Sequence, residues 1–215
     1  MPEQEHNPLA VPRPEPATPF SAEELRGAFR HPAAAIDMLL AQRARWTRTV
    51  IDNDKKGTMA ALMLGWTLAF SLPYGFVLSA TRTWQIATLF LGSVALCLPS
   101  LHVVSAYLGL RIHIAQSFAF ATIVATVAAM FSFGFAPILW FLQITSTSST
   151  PHDTLGTLSS MLLCVAALAG AVHGVRCLNF ARKIDGGEGF SLIMFFWLVL
   201  LLFIGMRMSQ ALGLS

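Results

Sequence analysis

With 215 residues, 55% of them hydrophobic and 12% charged, and a mean hydropathy of +0.63, the chain carries more apolar surface than a soluble domain of this length can bury. An ordinary soluble enzyme is excluded, and membrane helices are expected. The net charge of +3 does not mark a nucleic-acid binder: eight of the fourteen Lys and Arg precede residue 57, an asymmetry that reports membrane topology. Cys97, Cys164 and Cys177 fall inside apolar runs or at their ends without C-x-x-C spacing, so they read as free thiols.

Residues 1–19 are polar and proline-rich, unlike a cleaved signal peptide, and predict an extended, mobile tail. Order is expected from Phe20. Ser21 and Glu24 have capping-box spacing, and Phe20 and Leu25 have the spacing of a hydrophobic staple, so a helix should begin at Ala22. Pro32 ends it, and PAAAIDMLLAQRARW restarts as an amphipathic helix with Ile36, Leu39 and Leu40 on one face and Arg43, Arg45 and Arg48 toward its end. That helix either lies on the membrane surface or packs under the bundle. Residues 20–57 thus form a cytoplasmic, interfacial region ending in the charged connector DNDKKG.

Residues 58–215 carry five apolar runs, 58–80, 84–110, 117–142, 157–175 and 191–212. At ~1.5 Å per residue, about 20 residues cross a ~30 Å hydrocarbon core. Pro73, Pro99 and Pro137 lie in the first three spans and predict kinks. The segment TSTSSTPHD is expected to loop between the third and fourth spans, and DGGEG to turn between the fourth and fifth. The fold class is therefore all-α: a polytopic bundle of five transmembrane helices with an N-terminal amphipathic interfacial helix. Placing the N-terminus in the cytoplasm and the C-terminus outside leaves twelve of the fourteen Lys and Arg inside, with Arg82 and Arg207 outside.

Helices in lipid associate through close approach at small residues. Ser117, Ala121, Ala125 and Ala129 recur every fourth residue in the third span, and Ala166, Gly170 and Gly174 in the fourth, which predicts that these two helices touch. The polar intramembrane candidates are His102, His173 and Arg207. Two inward histidines could ligate a haem or pass protons, but from the span ends above they lie at different depths, which favours structural roles. Arg207 is close enough to the end of its span to snorkel to the outer interface. No catalytic constellation, metal site or cofactor is expected: there is no G-x-S-x-G, no H-E-x-x-H, no carboxylate in any span, and DGGEG lacks the ending of a phosphate loop.

In layout the chain resembles the Yip1-type membrane proteins. FRHPAAAIDMLL is similar to the short proline-containing helix before the first span of the bacterial members, and LHVVSAYLGLRIHIAQSFAFATIV to the family's apolar helix, glycine-containing turn and Ser-Phe restart. The turn here is GLRIH where the family tends to have two glycines, and the third span offers FSFGFA before Pro137. The resemblance implies a cytoplasmic N-terminal region and five membrane helices, and it transfers no functional residue.

The expectation is an integral membrane protein of a bacterial inner membrane, without a catalytic site, acting as a scaffold or accessory subunit beside other membrane subunits in the lipid bilayer and not with nucleic acid. A small transporter or permease component is the alternative; a haem-binding electron carrier is a third reading.

Overall fold

A computed structural model describes residues 18–52, 56–79, 82–107, 114–145, 152–185 and 190–212. Eight helices make up the described chain: α1 (Ala22–Arg30), α2 (Pro32–Ala41), α3 (Arg43–Asp52), α4 (Lys56–Leu78), α5 (Thr83–Tyr107), α6 (Ile114–Thr145), α7 (His152–Asp185) and α8 (Phe190–Ala211). No strand occurs among the described residues. The polar tail before residue 18, the middle of DNDKKG, the hairpin turn at 108–113, the segment 146–151 and the glycines of DGGEG lie outside them.

The first helix begins where local chemistry dictates. The Ser21 hydroxyl accepts from the Glu24 amide at 3.1 Å, and the Glu24 carboxylate accepts from the Ser21 amide at 2.8 Å, so two otherwise orphaned donors are satisfied. Phe20 and Leu25 are both buried. Pro32 opens α2, where a missing amide proton costs nothing.

The sequence pattern continues one helix from Pro32 through Arg48, whereas the structure breaks it at Gln42, whose φ of −103° and ψ of 36° leave the helical region. The cause is tertiary. The bend turns α3 back so that the Trp46 indole N–H donates to the Met38 carbonyl at 2.9 Å. Trp46 then stands between Phe20, 4.7 Å away, and Trp66 of α4, 6.3 Å away and edge-on. Thr49 accepts from the Phe20 amide at 2.9 Å and donates to the Arg45 carbonyl at 2.7 Å. Leu39, Trp46, Thr47, Thr49 and Val50 are buried, and α3 packs on α6 and α7.

Four helices are long and apolar enough to cross a membrane: Met59–Leu78, Thr83–Ser100, Ser117–Thr145 and Leu155–Cys177. The 22 residues of α8 are also enough by length, with Val199–Ala211 as their described apolar stretch. Exposed aromatics mark the two ends. Trp84 and Trp140 are exposed at one end and Tyr107 at the other, and Trp84 and Tyr107 stand about 35 Å apart along α5 at ~1.5 Å per residue, a bilayer's separation. Helices α4, α5 and α6 run through Pro73, Pro99 and Pro137. Helix α7 continues well past the predicted span end at Val175, carrying Arg176, Arg182 and Lys183 on helix, not on a loop.

The bundle is built around α6. Every residue from Ala119 to Met130 is buried, and 72% of its most apolar 18-residue stretch is buried, against 28–39% for the corresponding stretches of the other three. Helix α4 covers one side and α7 another, with α5 completing the wall and α8 lying outside, against α5 and α7.

Two outcomes follow. A Cβ at Gly170 would stand 2.5 Å from the Val124 carbonyl oxygen, whereas one at Gly134 would meet nothing within 4 Å. Gly170→Ala should therefore lower the melting temperature in detergent, by an overpacking cost of about 1–3 kcal/mol, and Gly134→Ala should not. At the base, the Ser21 amide and the Arg45 guanidinium, 3.1 Å away, hold the Glu24 carboxyl below its ordinary value. Because the folded value lies below the unfolded one, this support is complete above the ordinary value of 4.5 and is lost as pH falls through the folded value. Amide-exchange protection across 20–30, corrected for intrinsic rate, should fall on acidification in the wild type and stay level in Glu24→Gln.

Candidate functional site

At the centre of the bundle buried hydroxyls meet helix carbonyls. The Thr126 hydroxyl of α6 lies 2.7 Å from the Thr122 carbonyl on its own helix, 3.1 Å from the Met63 carbonyl of α4 and 3.0 Å from the Thr67 hydroxyl. Thr67 donates to the Met63 carbonyl at 2.8 Å. Two turns further along α4, the Tyr74 hydroxyl donates to the Ser159 carbonyl of α7 at 2.8 Å. These groups are fully or almost fully buried. They tie α4 to both neighbours and offer no base, nucleophile or ligand set; sequence reasoning passed over them because a lone Thr or Tyr in a span carries no motif.

The small residues sort as follows. Gly170 and Gly174 of α7 sit against α6, Gly170 over the backbone of Val124 and Ala128 and Gly174 over the Val124 side chain. Ala166 is buried on the same helix. On α6 the residues directly beneath the glycines are thus Val124 and Ala128. Ser117, Ala121, Ala125 and Ala129 are all buried, but a four-residue step overshoots a full turn by about 40° at 3.6 residues per turn, so that stripe winds away from α7. The Ser117 hydroxyl has no hydrogen-bond partner among the described residues.

His102 and His173 are half-buried on α5 and α7. Because α7 runs to Asp185, His173 is about 18 Å from the end of its helix, at ~1.5 Å per residue, not beside it. Among the described residues no three of His, Cys, Asp and Glu gather where a metal ion could be held. Arg207 is exposed on α8, and its guanidinium donates to the Gln210 side-chain oxygen at 3.3 Å.

What sequence reasoning did not find is a cavity of about 650 Å³ enclosed by α5, α6, α7 and α8. Its floor is Val124, Ala125 and Ala128 of α6; Leu89 and Val94 of α5 and Leu163 of α7 form its walls. The volume falls within the roughly 300–1,000 Å³ of small-molecule sites. It exists because α8 leans on α5 through Met208, whose Sδ lies 3.7 Å from the Ser93 hydroxyl, and on α7, without descending onto α6. Exposed Met161, Val199, Phe203 and Met206 form its rim, so it opens sideways between α7 and α8. Neither histidine lines it, and of the three cysteines only Cys164 does; Cys97 and Cys177 are buried elsewhere.

Compared with protein-family models, with curated proteins and with solved structures, the chain finds no significant match.

Interhelical hydroxyl bonds in membrane proteins average roughly 0.6 kcal/mol and reach ~1.7 kcal/mol. Thr126→Val, which keeps shape and removes the shared hydroxyl, should lower the unfolding free energy in mixed micelles by an amount within that range. Thr145→Val, at an exposed position bonded only within α6, should be silent.

Proposed function

We propose that this chain is a five-span protein of a bacterial inner membrane, with its N-terminus in the cytoplasm and its C-terminus outside, serving as a non-enzymatic scaffold or accessory subunit of a membrane assembly. The observation that carries the reading is the three-helix platform at the base of the bundle. Through Trp46, Thr49 and the Glu24–Arg45 pair, α1–α3 form one packed unit that α3 joins to α6 and α7. A partner gripping the exposed side of that unit, where Glu23, Asp37 and Leu40 project, would be rigidly referenced to the membrane helices. The Yip1-type layout supports the same arrangement, a cytoplasmic N-terminal region leading into five spans, and contributes no task.

Gentle extraction from the native membrane should recover the chain with stable companions, and Asp37→Lys should release them while leaving the melting temperature unchanged. Recovery of the protein alone would count against the scaffold reading. Epitope tags at the two ends should be accessible from opposite sides of intact cells, the C-terminal one from outside.

A second reading, a small transporter component, draws support from the cavity between α5, α6, α7 and α8. Solute flux through proteoliposomes containing the purified chain would favour it over the scaffold.

A further inference from the structure

The cavity floored by α6 is apolar along most of its length, and its polar groups are not scattered. Thr157 and Ser160 lie in the first turns of α7, and Ser209 and Gln210 in the last turns of α8. The two helices are antiparallel and joined by four residues, so the start of one and the end of the other share one end of the bundle. These four gather at that end, with Ser93 of α5, beside Met208, as the fifth hydroxyl or amide residue of the lining, and the rest of the chamber is mostly hydrocarbon.

The same end carries a cation in an unusual setting. Met208 packs at Gly92 of α5, eight residues and about 12 Å along that helix from the exposed Trp84. That contact sets the last turns of α8 inside the apolar layer. Arg207, one residue before Met208, bonds to Gln210, which lines the cavity. Its bonded partner is a neutral amide, and the ion pair found among the described residues, Glu24–Arg45, is at the opposite end. A guanidinium held there is costly without a counter-charge.

An apolar chamber this size does not fill with water, which needs several polar partners per molecule, and leaving it empty forfeits the dispersion contacts of its walls. The sideways opening between α7 and α8 gives onto lipid. We propose that the cavity is a phospholipid site: one acyl chain enters between α7 and α8 and lies on Val124, Ala125 and Ala128, and an anionic headgroup phosphate is held by Arg207 with Gln210, Ser209 and Ser160. Charge complementarity selects the occupant. Among the described residues a neutral apolar solute would leave the guanidinium with only the Gln210 amide, and a free phosphate would leave the chamber unfilled. This goes beyond a scaffold role and does not depend on it.

Cys164 lines the chamber and is exposed, while Cys97 and Cys177 are buried, so the protein carries its own reporter. The rate of Cys164 alkylation by N-ethylmaleimide would be followed on the full chain in delipidated detergent solution. Phosphatidylglycerol, phosphatidylcholine or inorganic phosphate would be added in turn. Phosphatidylglycerol should slow alkylation at about fivefold lower concentration than phosphatidylcholine, the preference that one cation at a membrane surface confers, about 1 kcal/mol. Inorganic phosphate should give no protection. Arg207→Gln should abolish the preference while both lipids still protect, and Arg207→Lys should retain it. Equal protection by the two lipids in the wild type, protection by neither, or an unchanged preference in Arg207→Gln would overturn the assignment.

Discussion

Lipid tails are as apolar as leucine, so an apolar side chain gains little by moving from lipid to a helix interface. What fixes this bundle is the nearness with which backbones can approach α6. Gly170 lets α7 lie with its backbone on the Val124 carbonyl, and the hydroxyls of Thr67 and Thr126 let α4 meet the opposite side through shared carbonyls. Both devices use small or short side chains and both converge on one turn and a half of α6. The turns of α6 from Ala119 to Met130 are consequently enclosed all round, while α4 and α5 expose Phe76 and Trp84, and the last turns of α6 expose Trp140 and Phe141, to lipid without loss.

In the proposed topology the N-terminal platform meets water and so follows different physics. There burial does stabilise, and Trp46 is the residue through which it acts: fully buried, with its ring tilted at 50° against Phe20, edge-on to Trp66 and bonded to Met38. Arg45 adds a charge-assisted layer, with its guanidinium 4.2 Å from the Phe20 ring centroid and its ion pair to Glu24. The platform and the membrane helices are therefore one mechanical unit, which is the property a scaffold requires. The cavity lies across α6 from the surface that meets α4 and opens outward between α7 and α8, so the two proposed roles, lipid binding and platform docking, are spatially separate.

Some of this was legible in the residues. The start of α1 was, because the Ser21–Glu24 box and the Phe20–Leu25 staple are local and need no tertiary partner. The membrane helices were, because length and apolarity are enough to recognise them. Their ends were less so. Hydropathy reports lipid contact and not helix, and Arg176, Arg182 and Lys183 are good helix formers that simply continue α7 beyond the apolar run. The break at Gln42 was invisible because its cause, the Trp46 indole reaching Met38, exists only after folding. The contact of α6 with α7 was legible from the glycines of α7; on α6 itself Ala, Ser and Thr surround the helix on every side, so the residues of the contact face cannot be singled out from a four-residue stripe. The cavity depends on where α8 stops short of α6, and no pattern within one helix encodes that.

The central claim is that α6 is the enclosed axis, with α4 held against it at Thr67 and Thr126. The most direct measurement is oxidative cross-linking in native membranes of a chain carrying Thr67→Cys and Thr126→Cys, with Cys97, Cys164 and Cys177 replaced by Ala and the remaining thiols counted by maleimide labelling after denaturation. The account predicts that mild oxidation removes both thiols together, while pairing Thr126→Cys with a cysteine at the exposed Phe76 leaves both free. Free thiols in the first pair, or equal loss in the second, would contradict it.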